Sequence, residues 1–574
     1  MIALNCGWIM NEDQRTPAPI LKVENLWVSF SNAQGVLPAV GGVSFELNRG
    51  EILALVGESG SGKSLTALSI IGLLPSAATW QANQLQFQNK ENAWVDLKTN
   101  AARMRGMGIG MIFQDAGTAL NPLETCGEQI AESLRYHFRL SRSEARARAL
   151  VWLERVELGE AVARVYSAYP HELSGGQKQR VLIAGAMSLE PRVLIADEPT
   201  TALDVTVQQQ ILTMIRSLCA RYGTAVLFIS HDLNLVGSVA DRVVVMRRGE
   251  LLEENTTSRI FQQPAHPYTA ALLRCRPGMA TKEYRLPVPE IIDGENISRR
   301  LYPRAEAVPL SPELLLEVRD IGVRYPVRKR WPWDSQQYVR ALENVHFSLH
   351  KGQTMGVAGE SGSGKTTLAK VLLGLQKPDE GRLWFGGDEI DMQYPSSWTR
   401  WRRAMQLIFQ DPFASLNPRM PVGEAILEPM RYHQIGADDT ERMERIAQIV
   451  DRVGIHMDHL KRMPHAFSGG QRQRIGIARA LVLEPQFLVC DESVASLDVS
   501  VQAQTLNLLK DLQEEKGLTY LFISHDLSVI RFMSDTVMVL QKGLVVESGD
   551  SDRIFSHPSH PYTRSLLDAV PKFK

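Results

Sequence analysis

Cysteine is scarce in this chain: five among 574 residues, at Cys6, Cys126, Cys219, Cys275 and Cys490, with no C-x-x-C pair. An odd, scattered set argues against a secreted disulfide scaffold and fits a reducing cytosol. Long apolar runs are missing too. No stretch approaches the ~18 consecutive apolar residues that a membrane crossing needs, so the chain is not expected to cross a bilayer by itself. Net charge is nearly absent: 63 Lys and Arg against 64 Asp and Glu leave −1. That balance supplies no basic field of the kind that holds nucleic acid, and no nucleic-acid partner is expected. The opening Met1 to Met10 is apolar but lacks the basic start of a signal segment and runs straight into Asn11-Glu12-Asp13. Residues 1–19 read as an N-terminal extension, with Met10 an alternative start and Leu4-Asn5-Cys6 only a faint lipid-attachment pattern.

What is there is ordinary in bulk and unusual in order. Hydrophobic residues at 44% and charged residues at 22% are globular values. One sentence of residues occurs twice: Gly57-Glu58-Ser59-Gly60-Ser61-Gly62-Lys63-Ser64 and Gly359-Glu360-Ser361-Gly362-Ser363-Gly364-Lys365-Thr366. Both fit G-x-x-x-x-G-K-[ST], in which glycines let backbone N–H groups wrap phosphates, the lysine reaches the outer phosphates and the last hydroxyl holds Mg²⁺. Each copy follows an apolar run, Ile52 to Val56 or Met355 to Ala358, and opens a helical stretch, so the phosphates would meet a helix N-terminus.

The landmarks that follow also recur in one order. Ile112-Phe113-Gln114-Asp115, Ser174-Gly175-Gly176-Gln177, Val193 to Glu198 and Ile229-Ser230-His231-Asp232 are answered by Ile408-Phe409-Gln410-Asp411, Ser468-Gly469-Gly470-Gln471, Phe487 to Glu492 and Ile523-Ser524-His525-Asp526. Ser174 to Ser468, Asp197 to Asp491 and His231 to His525 share one offset, the mark of a duplication. Apolar runs at Val193 to Ala196, Ala225 to Ile229, Phe487 to Cys490 and Tyr520 to Ile523 predict buried strands. Glu128 to Arg139 and Arg142 to Glu157 predict helices. Arg276 to Glu313 holds six prolines and no sustained period, which predicts a linker. The domains are therefore expected at 20–275 and 314–574, with a linker at 276–313. The loop 326–335, basic and aromatic, has no counterpart in the first half; it reads as a solvated loop or as a headgroup or partner contact.

With these motifs the chain resembles the ATP-binding subunits of ABC transporters, two nucleotide-binding domains being fused. The resemblance implies an α/β fold of two tandem P-loop NTPase (RecA-like) domains, each with an antiparallel β subdomain and a helical subdomain. It implies ATP and Mg²⁺ as cofactors. Phosphoryl transfer to water needs neutralised phosphates, a metal and a positioned nucleophile. Lys63 and Lys365 would cradle phosphate. Ser64 and Thr366 would ligate Mg²⁺, with Gln114 and Gln410, and with Asp197 and Asp491 through water. Glu198 and Glu492 would polarise the attacking water, and His231 and His525 would contact the γ phosphate. Ser174-Gly175-Gly176-Gln177 and Ser468-Gly469-Gly470-Gln471 would close over the nucleotide of the opposite domain, an intramolecular ATP sandwich. Phe30 and Tyr325 would stack on adenine, or serve as plain core aromatics. Both sites keep every part, so two hydrolytic sites are expected. One departure stands out: Asp197-Glu198-Pro199-Thr200 becomes Asp491-Glu492-Ser493-Val494, and loss of the proline is expected to loosen that turn.

A chain without a membrane span must pass its motion to others. The resemblance implies two integral-membrane permease subunits docked near the glutamine loop, a solute-binding protein outside the membrane acting indirectly, and a peripheral place on the cytoplasmic face of a bacterial inner membrane. His266-Pro267-Tyr268-Thr269 and His560-Pro561-Tyr562-Thr563, with Asn121-Pro122 and Asn417-Pro418 after the two glutamine loops, resemble the dipeptide, oligopeptide and nickel uptake branch, whose fused members import glutathione or peptide-like compounds. Some relatives bind an iron–sulfur cluster through tail cysteines; Cys275 stands alone, and no cluster is expected. A nickel or metal-chelate importer is the alternative. A soluble protein of the same family acting on ribosomes or DNA is more remote, because such chains carry a long charged linker or zinc-binding cysteines.

Overall fold

A strand with no polar face must be covered on both sides, and three segments of the first half are of that kind: Ile52–Val56, Val193–Asp197 and Ala225–Ser230 are buried at each position. The computed structural model describes residues 18–32, 35–200, 203–279, 284–291, 297–299, 311–326, 335–411, 415–495 and 497–570. Most of the extension 1–19 and of the loop 326–335 lies outside them. The chain divides into two compact units, one of residues 1–201 and 211–263, the other of 202–210 and 264–574.

In the first unit the three strands lie in a six-stranded sheet. Its order is Ile109–Ile112, Val193–Asp197, Ala225–Ser230, Ile52–Val56, Arg242–Arg247 and Glu250–Thr256, all parallel except the last. Val56 pairs with Ser230 and Asp197 with Ile229. The strands therefore end together, and the loops leaving their carboxyl ends carry Gly57, Gln114, Glu198 and His231 to one edge of the sheet. Open α/β sheets bind ligands at that edge. Against the sheet packs an antiparallel layer led by Pro19–Asn32 and Gly35–Asn48, whose Val23, Leu26, Val28, Val43, Phe45 and Leu47 are buried in the shared core. The helical subdomain begins with Cys126–Phe138, ended by Arg139 at φ 54°, and Arg142–Arg155, opened by a Ser141/Glu144 capping box.

The second unit repeats the plan. Met405–Ile408, Phe487–Asp491, Thr519–Ile523, Thr354–Ala358, Thr536–Gln541 and Leu544–Asp550 form its core sheet in that order, and Leu314–Pro326, Tyr338–His350, Glu380–Phe385 and Asp388–Ile390 its antiparallel layer. Val422–Tyr432 and Asp439–Arg452 open its helical part. The tail helix Pro561–Asp568 places Leu566 and, just beyond it, Val570 in one apolar cluster with Ala358, Leu527 and Ile530.

The stretch 276–313 holds more than a linker. Within this unit Arg285 is buried against the helix Val499–Lys516, its guanidinium donating to Asp511 at 2.9 Å and Glu514 at 2.8 Å. The Asn507 side chain accepts the Leu286 N–H at 2.9 Å and donates to the Leu286 carbonyl at 2.8 Å. Arg276 reaches Asp526 at 3.2 Å. Pro289–Ile291 and Ile297–Arg299 pair as a short hairpin. No hydrophobic period announces these contacts, because two arginines and the backbone N–H and carbonyl of one leucine make them.

Cys126, Cys219, Cys275 and Cys490 are buried. Burial pushes the Cys126 thiol up to about 11 and those of Cys219 and Cys490 up to about 12. Among the described residues no helix is long and apolar enough to cross a membrane.

Candidate nucleotide sites

Each phosphate loop is shaped by glycines that no other residue could replace in place. Gly359 lies at φ 147°, where an added Cβ would sit 2.3 Å from the Leu540 carbonyl oxygen; Gly364 lies at φ 112°, with the Ala341 carbonyl oxygen at 2.5 Å. Lys365 starts the helix Lys365–Leu372 and is buried, its ammonium donating to the carbonyls of Gly359 at 2.7 Å and Glu360 at 2.8 Å. Burial holds that ammonium below its ordinary range. Lys63 makes the same two bonds, to Gly57 at 2.7 Å and Glu58 at 2.8 Å. A cation poised inside a ring of backbone donors is a receptor for phosphate oxygens. Around the second loop the structure leaves a cleft of about 220 Å³, lined by the loop from Ser361, by Lys365, Thr366, Gln410, Glu492 and His525, and by Asp204.

The strand-end aspartates fit a hard cation. Asp197 and Asp491 are buried, and each has an Oδ1 that is sealed from solvent and met by no hydrogen-bond donor. Burial lifts the Asp197 carboxyl to about 6, while a hydrogen bond from Ser64 opposes the rise. Burial and the neighbouring Glu492 raise Asp491, and a hydrogen bond from Thr366 opposes them. Hydroxyl, carboxylate and amide oxygens are the donors Mg²⁺ accepts, and it keeps several waters. A cluster of three acidic or imidazole ligands, absent among the described residues, is not required for such a site.

The two glutamates share an uncommon backbone. Glu198 lies at φ 46° and Glu492 at φ 47°, the left-handed region that non-glycine residues rarely enter. The twist lets each N–H continue the ladder, Glu198 to Ile229 and Glu492 to Ile523, both at 2.9 Å, while the side chain turns to the site. There the Gln114 amide donates to Glu198 at 2.9 Å, and His231 Nδ1 lies 2.9 Å from the other carboxylate oxygen. In the second half Gln410 donates to Glu492 at 2.6 Å and His525 Nδ1 lies at 3.6 Å. The His525 contact holds Glu492 below the usual carboxylate range; burial alone would lower His525, but Glu492 carries it above its ordinary value. Ser493 stands where the first half has Pro199, and the glutamate before it keeps the same φ within a degree.

Signature residues sit elsewhere. Ser174 and Ser468 are N-caps of Gly175–Met187 and Gly469–Leu481, and Gln177 and Gln471 complete the capping boxes. The serine oxygen accepts from the glutamine N–H at 3.4 and 3.3 Å, which leaves its own proton to donate outward. None of Ser468, Gly469, Gly470 and Gln471 lines the second cleft, nor does Tyr325. Tyr325 is exposed near the end of its strand, and Phe30 is half-buried against the first unit's core. Two residues escaped the sequence reading. Asp204 Oδ1 accepts the Ser361 N–H at 2.7 Å, and the Tyr562 hydroxyl accepts the Glu360 N–H at 3.1 Å. Asp204 had a signal: Leu203-Asp204 recurs as Leu497-Asp498.

The ABC transporter family model matches residues 40–201 and 342–495, and the model for the oligopeptide/dipeptide transporter C-terminal region matches 252–296 and 546–574. The glutathione import ATP-binding protein GsiA of Escherichia coli strain K12 is 45% identical over 98% of this chain and 91% of its own length. That of Shigella flexneri is 44% identical over the same shares. A solved ATP-binding cassette, MJ0796 in a post-hydrolysis state with ADP and phosphate, matches 41% of this chain and 99% of its own at 27% identity, TM-score 0.38. With both family models matching twice and full-length relatives at this identity, the chain belongs to the ABC transporter family, as the ATP-hydrolysing subunit of a peptide-type importer.

Proposed function

We propose that both halves hydrolyse ATP by one mechanism and that the work moves a peptide or peptide-like solute, glutathione among them, inward through separate membrane subunits. The observation that carries the reading is the glutamate of each half, fixed in a left-handed turn between a glutamine amide and a histidine at the edge where the phosphate loop begins. Lys63 and Lys365 hold the outer phosphates. Ser64, Thr366, Gln114, Gln410, Asp197 and Asp491 would hold Mg²⁺, which when bound would neutralise the developing phosphate charge. Glu198 and Glu492 orient the attacking water and accept its proton. Gln114 and Gln410 keep that carboxylate aimed, and His231 and His525 hold it on the other side while facing the γ phosphate.

Ser174 to Gly176 and Ser468 to Gly470 close over the nucleotide bound by the opposite half, with the serine proton and helix N–H groups as donors. Nucleotide then favours the closed pair by its differential affinity for that state. Phe30 and Tyr325 flank adenine. The motion passes to two permease subunits on the cytoplasmic side of the membrane. A cleft of about 400 Å³ in the second unit, between Leu407 near the end of its strand, Phe409 of the glutamine loop and the helical residues Pro429 and Tyr432, suits an inserted permease segment. A solute-binding protein outside delivers cargo.

The test is ATP hydrolysis by the full chain with its membrane subunits in proteoliposomes, with and without binding protein loaded with glutathione or a dipeptide. Stimulation of several-fold by the loaded protein, with solute accumulating inside, is the expected result. An assembled complex that the loaded protein leaves unstimulated would count against the import reading.

A further inference from the structure

We propose that Tyr562, in the tail of the second half, is a positioning residue of the second ATP site, its hydroxyl holding the start of the phosphate loop in the shape that receives nucleotide. The inference rests on the reading of the second half as an ATP site. Glu360 is the second residue of the loop, and its N–H donates to the Tyr562 hydroxyl at 3.1 Å. The carbonyl of the same residue is gripped by Lys365 at 2.8 Å. One residue of the loop is thus held from both sides, by the cation that serves the phosphates and by the tail. Arriving phosphate competes for the lysine's donors, and the tyrosine bond then remains to keep the loop from relaxing. The preceding Gly359, at φ 147°, is open to many conformations; the Ser361 N–H that follows is held by Asp204 at 2.7 Å, which leaves the Glu360 N–H to the tyrosine.

The tail is built to deliver that hydroxyl. His560 caps the helix Pro561–Asp568, its Nδ1 accepting the Tyr562 N–H at 3.2 Å, and Pro561 supplies the fixed φ suited to a first helical position. Glu547 accepts the N–H groups of Ser559 at 2.7 Å and His560 at 3.1 Å, and Thr563 is buried. Leu566 anchors the helix among Leu527 and Ile530, on the helix that follows His525. His560 and Pro561 thus shape the start of the helix, and the tyrosine between them and Thr563 reaches the phosphate loop.

The experiment uses the full chain carrying Lys63→Ala, which confines ATP binding to the second site, and adds Tyr562→Phe, which removes one oxygen and keeps the ring. ATP affinity, KM, kcat and the melting temperature are measured together. Loss of one hydrogen bond predicts a weakening of ATP binding and a rise in KM of about 2- to 12-fold, with kcat and melting temperature unchanged. Unaltered affinity and KM would overturn the proposal. A fall of kcat and melting temperature together, without a change in affinity, would also overturn it by showing a structural role only. Glu492→Gln in the otherwise native chain is the separate control on catalysis: full activity there would remove the hydrolytic role of the second half, while the binding measurement still decides the role of Tyr562.

Discussion

A glutamate held at positive φ costs on the order of 1–3 kcal/mol, yet both halves place one at the same point of the same turn. Gln fits that backbone and that gap but cannot accept a proton. Glu198→Gln and Glu492→Gln should each lower steady-state hydrolysis, and the double variant should fall by roughly 100- to 10,000-fold with ATP affinity within a few-fold of the parent; phosphate release and equilibrium binding measure the two. Asp197 adds a pH-dependent effect. Its folded value, about 6, lies above the ordinary 3.8, so its contribution to stability is fully present below about pH 4 and lost as pH rises through about 6. The ionised carboxylate then costs roughly 3 kcal/mol at neutral pH. Metal-free Asp197→Asn is therefore expected to melt above its parent at pH 7.5, with the gap closing toward pH 4, although it should lose Mg²⁺-dependent hydrolysis. Equal melting at pH 7.5 would show that burial does not strain this carboxylate.

Among elements, the docked stretch beyond the first tail offers the clearest energetic test. Arg285 has a side chain only 2% exposed, facing carboxylates that reach the surface; Arg285→Ala removes the cation and leaves Asp511 and Glu514 without it. The expected loss is about 2 kcal/mol, read as an earlier urea transition of the second unit, and an unchanged transition would mean the docking contributes nothing. That stretch was invisible in the sequence, where prolines and lack of period marked only a break between domains. Core strands were legible for the opposite reason: Val193–Asp197 and Thr519–Ile523 are apolar at nearly every position, because a doubly covered strand has no other solution. Tyr562 could be seen as part of a repeated motif but not as a neighbour of Glu360, since its partner is a backbone N–H 202 residues away. Nor did any residue type announce the left-handed turns, which fall on glutamate rather than glycine.

At the scale of the whole chain, duplication has kept the glutamate's backbone more constant than the side-chain contacts around it. The two glutamates agree in φ within a degree although Pro199 is answered by Ser493, whereas the glutamate–histidine distance opens from 2.9 to 3.6 Å. Both halves also bury sulfur in their interiors, at Cys126, Cys219, Cys275 and Cys490. At neutral pH fewer than about one in a thousand of the thiols at Cys126, Cys219 and Cys490 would be ionised, and only the thiolate attacks a disulfide. Their exchange with any disulfide in the surrounding solution is correspondingly suppressed while the fold holds, so the motor can turn over among oxidants without its buried sulfurs being drawn into reaction.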